Sequence, residues 1–165
     1  MKHKIITIRN DQGFNVEAIS PVIISASRAT DIPAFYADWF FNRLDKDYLT
    51  WRNPFNGKES YVSFAKTRFV VFWSKNPKPL IPFLPILRKK GIGFYIQFTL
   101  NDYDAEKLEP GVPTLTERIE IFKTIVDEYG LGSAVWRFDP LILTDKISPD
   151  MLFYKISAIA QQLKG

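Results

Sequence analysis

The sequence contains no cysteine and a single histidine, His3. The first absence excludes disulfides, thiolate metal sites and a cysteine nucleophile within these residues. The second leaves no imidazole for a Ser-His-Asp arrangement around a core, because His3 stands at the extreme N-terminus, where a surface position is expected. No apolar run approaches the ~20 residues that span a bilayer. The opening MKHKIITIRN carries positive charge but lacks the apolar stretch of a secretory signal. A soluble, cytoplasmic chain is the expectation. Charge imbalance is also slight: 22 Lys and Arg against 18 Asp and Glu give +4 over 165 residues. The one basic cluster, Arg88-Lys89-Lys90, suits a solvated helix C-terminus. A nucleic-acid patch is the weaker alternative, since basic composition alone is a poor footprint.

What is abundant is apolar and aromatic material: 46% hydrophobic residues with 14 Phe, 7 Tyr and 4 Trp. A chain of this length forms one domain with a real core. Lys4 to Ile8 and Phe14 to Ile19 alternate as strands around the turn Asn10-Asp11-Gln12-Gly13, which predicts an N-terminal hairpin over residues 1–21. From residue 22 to 165 short apolar runs alternate with helical patterns. Val22 to Ser25, Tyr48 to Arg52, Arg68 to Trp73, Phe94 to Leu100 and Ala134 to Phe138 read as five core strands. Ser60 to Phe64 returns from Tyr48–Arg52 through the hairpin signal Asn56-Gly57.

The helices are legible from caps and periodicity. Asp31 caps a helix whose face carries Phe35, Tyr36, Trp39, Phe40 and Leu44. Pro77, Pro79, Pro82 and Pro85 delay or kink the next, which ends near Lys90 before Gly91. Thr114-Leu-Thr-Glu117 is a capping box ahead of the stripe Ile119, Phe122, Val126 and Tyr129. Ser148-Pro149-Asp150 opens a last helix with Leu152, Ile156, Ile159 and Leu163 on one face. The long polar connection from Asn101 to Pro113 is either a functional lid or a mobile surface loop. Strand–helix alternation predicts a parallel sheet with right-handed crossovers, hence an α/β fold: a partial (βα) barrel-like sheet of about five core strands with flanking helices, behind an N-terminal β-hairpin.

Polar residues gather just after each core strand. They are Ser27, Arg28, Thr30 and Asp31, then Arg52 and Asn53, then Ser74, Lys75 and Asn76, then Gln97, Thr99 and Asn101, and finally Arg137 and Asp139. In parallel α/β folds that edge is where ligands bind. Arg28, Arg52, Lys75 and Arg137 converge there as cations and need anions nearby; Asp31 and Asp139 offset part, and a phosphate or carboxylate ligand suits the rest. Arg28, Arg52, Asn53, Lys75, Asn76, Gln97 and Arg137 are therefore the candidate ligand-binding residues, with Asp31 and Asp139 as their acidic partners or holders of an ion such as Mg²⁺. Two readings stand side by side. Arg137–Asp139 and Arg28–Asp31 are either internal ion pairs that fix the top of the sheet or part of an anion site. Trp51, Trp73 and Trp136 lie in or beside strands and serve core packing or a stacking surface at the mouth. No catalytic residue is assigned, and Gly91-Ile92-Gly93 precedes a strand and is not a dinucleotide loop.

The segments SASRATDIPAFY, RNPFN, VFWSKNP, FYIQFTLNDY and WRFDPLILTD, in this order, resemble the bacterial domain-of-unknown-function family DUF1848 from about Ile23 onward. The resemblance implies a barrel-like (βα) fold similar to radical S-adenosylmethionine enzymes. It also implies that full-length members continue into a cysteine-rich C-terminal segment of iron–sulfur type. This sequence has no such segment, so no cofactor is expected within it, and an iron–sulfur cluster is implied only for longer members. Five core strands make half to two thirds of a barrel that takes ~250 residues. The expectation is the N-terminal part of an iron–sulfur, radical-SAM-like enzyme, supplying an anion-binding mouth at the C-terminal ends of the strands. The alternatives are a non-catalytic phosphate- or nucleic-acid-binding module, or a degenerate remnant with structural ion pairs only. Open sheet edges predict a homo-oligomer or covering by a missing C-terminal part, with the helix from Ser148 as a contact.

Overall fold

A computed structural model describes residues 4–27, 30–53 and 55–164. Two four-stranded sheets organise them. The first begins with the hairpin β1 (Lys4–Arg9) and β2 (Asn15–Ser20), paired antiparallel from Lys4 opposite Ser20 to Arg9 opposite Asn15. Its turn is closed by Asn10, whose Oδ1 accepts from the amides of Gln12 and Phe14, and by Gly13 at a φ of 84°. That left-handed conformation is one that glycine adopts without a Cβ penalty. The second hairpin, β4 (Tyr48–Arg52) and β5 (Glu59–Ser63), joins the same sheet because β5 pairs parallel to β2, giving the order β1-β2-β5-β4.

The second sheet is wholly parallel. It consists of β3 (Ile23–Ser25), β6 (Phe69–Ser74), β7 (Gly93–Thr99) and β8 (Ala134–Arg137), side by side in chain order. Right-handed crossovers between strands laid down in one direction put every connecting helix on the same face. Those helices are α1 (Ile32–Phe35), α2 (Ala37–Asp45), α3 (Leu84–Lys89) and α4 (Leu115–Tyr129), with α5 (Pro149–Leu163) following β8. Strand periodicity then sorts the side chains. Val70, Phe72, Ile96 and Phe98 point into the helix layer and are fully buried with Phe40, Leu44, Leu80, Leu84, Leu87 and Ile125. Phe40 makes edge-on contacts with Phe41, Phe64 and Phe72, which lock α2 onto β6. The expected capping box of α4 is present in both directions, and Ser148 caps α5. Among the described residues no helix is long and apolar enough to cross a membrane.

The α/β class, the parallel sheet with flanking helices and the N-terminal hairpin follow the sequence expectation; the described residues form no closed barrel. Two expectations need correction. The parallel sheet has four strands, because Tyr48–Arg52 is β4 of the other sheet. The Asn56-Gly57 turn ties it to β5, and β5 is already committed to β2, so β3 takes β6 as its neighbour. The helix after Asp31 is broken at Tyr36, whose φ of −137° resets the phase. Its buried face is Ala37, Phe40, Phe41 and Leu44, while Phe35, Tyr36 and Trp39 are exposed. The late start expected of the helix after β6 is borne out: the proline-rich segment forms a 3-10 helix, Lys78–Phe83, before α3 begins at Leu84 and ends at Lys89. There i→i+3 bonding accommodates prolines that an α-helix interior would reject.

Candidate functional site at the open edge of the parallel sheet

Helices cover one face of the parallel sheet; among the described residues none covers the other. Phe69, Val71, Tyr95, Gln97, Thr99 and Arg137 alternate onto that second face and remain partly exposed, and Trp73 keeps 37% of its surface. Wholly parallel sheets normally bury both faces. The C-terminal end of this second face is polar.

The register assembles that end. Trp73 on β6 lies opposite Gln97 on β7, and Thr99 lies opposite Arg137 on β8. The Arg137 guanidinium lies 4.5 Å from the centroid of the Trp73 ring, while its Nη2 donates to Asp139 Oδ2 at 2.8 Å. On its own side Trp73 donates from Nε1 to Ser25 Oγ at 3.2 Å, and Gln97 Nε2 donates to Tyr95 Oη. Arg137 and Asp139 are thus an ion pair, but one at a half-open rim with an indole beneath it.

Just past the strand ends a second layer begins. Ser74 ends β6 on the buried face, and its hydroxyl donates to Asp31 Oδ2 at 2.9 Å. Asp31 Oδ1 accepts from the Ala34 amide, which caps α1. Burial raises the Asp31 carboxyl above its ordinary value, against the pull of the hydrogen bonds from the Ala34 amide, the Ser74 hydroxyl and the Lys75 amide. Lys75 follows, in contact with the Glu109 carboxylate. Burial and the nearby Arg118 charge hold the Lys75 ammonium below its usual value, with Asp139 acting in the opposite direction. Glu109 Oε1 also accepts from Asn101 Nδ2, and that same amide group donates to the backbone oxygen of Asp139. Behind them Arg118, 1% exposed, donates to Asn101 Oδ1 at 3.1 Å and to the Asn101 carbonyl at 2.9 Å. Its Nε is buried without a partner among the described residues. A hydrogen-bonded chain therefore runs from Lys75 through Glu109 and Asn101 to the backbone of Asp139.

Of the residues expected here, Lys75, Gln97, Arg137, Asp31 and Asp139 come together at this edge. Asn76 is beside them but is used by the turn: its amide donates to Ser74 Oγ and its Oδ1 accepts from the Lys78 amide. Arg52 and Asn53 do not join them, because β4 belongs to the other sheet. Arg52 Nε donates to the Gly57 carbonyl, and Asn53 closes the same hairpin through the Lys58 carbonyl and the Phe55 amide. Arg28 and His3 lie outside the described residues. Trp136 is a core residue whose Nε1 donates to the Leu100 carbonyl, Trp51 is exposed on β4, and only Trp73 reaches the edge.

Three participants escaped the sequence reading. Arg118 was detectable, since it interrupts the inward stripe of α4 at helical spacing from Leu115, Phe122 and Ile125. Lys155 likewise shares the inward face of α5 with Leu152 and Ile159, and its Nζ donates to Glu106 and to the Asp102 carbonyl. Glu109 carries no local signal, because only the path of its loop brings it to Lys75. That loop is neither free nor simply mobile in its first half: Tyr103 is 1% exposed, its hydroxyl donates to the Pro140 carbonyl, and it accepts from the Ile142 amide.

No curated protein and no solved structure matches this chain. A family model described as a domain of unknown function, DUF1848, does match, over residues 23–165. That span takes in the whole parallel sheet, its helices and every residue of the open edge, and the protein accordingly belongs to the DUF1848 family.

Proposed function

We propose that the C-terminal end of the uncovered sheet face binds a small anionic ligand, with Arg137 and Lys75 as its cations, Trp73 as a flat wall and Gln97 as a polar contact. The observation that carries this reading is the polar row Trp73, Gln97 and Arg137 on a parallel-sheet face that no helix covers among the described residues. A surface of that kind sits where parallel α/β folds place their ligands. Ser27, a non-glycine residue with a φ of 88° at the end of β3, supports it further, as backbone strain clusters at functional sites.

The iron–sulfur chemistry implied by the family resemblance does not fit the donors present. The chain has no cysteine, and among the described residues no group of three or more His, Cys, Asp or Glu side chains could hold a metal ion. Under an enzymatic reading this chain supplies the binding mouth, and residues outside it hold the cluster. One specific observation favours the alternative of purely structural charges: Lys75, Arg118 and Arg137 each already have a carboxylate partner.

Thermal unfolding in the presence of succinate or inorganic phosphate, at constant ionic strength, separates the two. A ligand at about 100 times its Kd adds about 2.7 kcal/mol of apparent stability. The binding reading expects one of these anions to raise Tm in the wild type and Arg137→Ala to abolish the rise. A response no larger than that to chloride sinks it in favour of structural ion pairs.

A further inference from the structure

We infer that Lys75 Nζ and Asn101 Nδ2 form a carboxylate subsite, that Glu109 fills it as a built-in latch, and that a carboxylate ligand displaces Glu109. The displacement, though not the subsite, rests on the ligand-binding reading above.

The subsite is defined by what it already holds. The Glu109 carboxylate contacts Lys75 and accepts from Asn101, with side-chain exposures of 16% for Glu109 and 30% for Lys75. Asn101 is fully buried and is held from behind by Arg118, so its amide group is aimed rather than free to rotate. One cation and one oriented N–H donor suit a carboxylate, whose two oxygens are acceptors only.

The latch follows from how the loop is attached. Residues 101–106 are pinned by Tyr103, by the Asp104–Arg118 pair and by the Glu106–Lys155 pair. Residues 107–113 differ. Lys107, Leu108, Pro110 and Gly111 are exposed, and Lys107 and Gly111 have positive φ. Among the described residues, the Glu109 carboxylate makes the only side-chain hydrogen bonds and ion pair that tie this segment to the rest. A strap fixed at both ends and fastened by a single exchangeable carboxylate opens when another carboxylate takes that place.

Hydrogen exchange and acetate rescue test this. Glu109→Ala is expected to speed amide exchange in 107–113 by about tenfold, a factor within reach of one charge-assisted contact. Residues 101–106 should keep their protection. Acetate should then raise the Tm of Glu109→Ala more than chloride does, restore the protection of 107–113, and do neither in Lys75→Met/Glu109→Ala. Glu109→Gln, which keeps the shape without the charge, should lie between wild type and Glu109→Ala. Unchanged exchange in Glu109→Ala, or acetate acting no more than chloride, overturns the subsite. In the wild type, succinate should accelerate trypsin cleavage after Lys107; no acceleration overturns the displacement. If Arg137→Ala shows no anion response to lose while acetate still rescues Glu109→Ala, the failure belongs to the broader ligand reading and the subsite stands.

Discussion

Arg137 on β8 reaches across the intervening strand β7 to place its guanidinium over the indole of Trp73 on β6, 4.5 Å from the ring centroid. Adjacent strands are about 4.8 Å apart, so the contact spans roughly 10 Å of sheet. Asp139 holds the guanidinium at its other side. The pair is half-open: the side chains of Arg137 and Asp139 are 30% and 54% exposed. Solvent screens such a pair, and a cation over an exposed ring adds only about 0.5–1 kcal/mol. Arg137→Met should therefore cost no more than about 1 kcal/mol in denaturant unfolding. It should still change the emission of Trp73, read as the difference from a Trp73→Phe background. A loss of several kcal/mol would make Arg137 a structural keystone and remove it from the ligand site.

Arg118 is the opposite case. It is buried, and its two bonds to Asn101 satisfy an amide oxygen and a carbonyl that water cannot reach. Each buried acceptor left without a donor costs about 1–3 kcal/mol. Arg118→Met, which fills much of the volume, is expected to destabilise by at least about 2 kcal/mol and to loosen Asn101, measured by urea unfolding and amide exchange. A change within a few tenths of a kcal/mol would mean that the buried guanidinium carries no structural weight.

Asp31 sets a pH dependence whose sign is opposite to that of a salt-bridged carboxylate. Its folded pKa is raised by burial, so the native state binds the proton more tightly than the unfolded chain. Stability contributed through this group falls as pH rises from the ordinary aspartate value through the raised folded value, and is recovered as pH drops back. Asn is an equally good N-cap, so Asp31→Asn keeps the bond to the Ala34 amide while removing the titration. The variant should match or exceed wild-type stability at neutral pH and show a smaller slope across the mildly acidic range. A variant markedly less stable at neutral pH would show instead that the carboxylate charge is needed by Ser74 and Lys75.

Local signals carried most of the fold. Asn10 to Gly13, Asn56-Gly57, the Thr114/Glu117 box and Ser148 each act through neighbours two to four residues away, so a linear reading finds them. The strand edges were found for the same reason, and with them Lys75, Gln97 and Arg137. Arg52 and Asn53 were misplaced because a strand's own residues do not say which sheet it joins. That choice was made by β5, through its pairing with β2, some forty residues earlier in the chain.

By itself, then, the sequence determined the alternation of strand and helix, the caps and turns, and the gathering of polar residues after each parallel strand, since all of these depend on short-range periodicity and local hydrogen bonding. Only the tertiary structure decided that the hairpin β4–β5 leaves the parallel sheet, that the described helices cover only one face of that sheet, and that Glu109 reaches Lys75. Those outcomes depend on contacts between residues distant in the chain. Strand partnership and loop path are settled by which buried surfaces and charges find one another, and no local pattern encodes that.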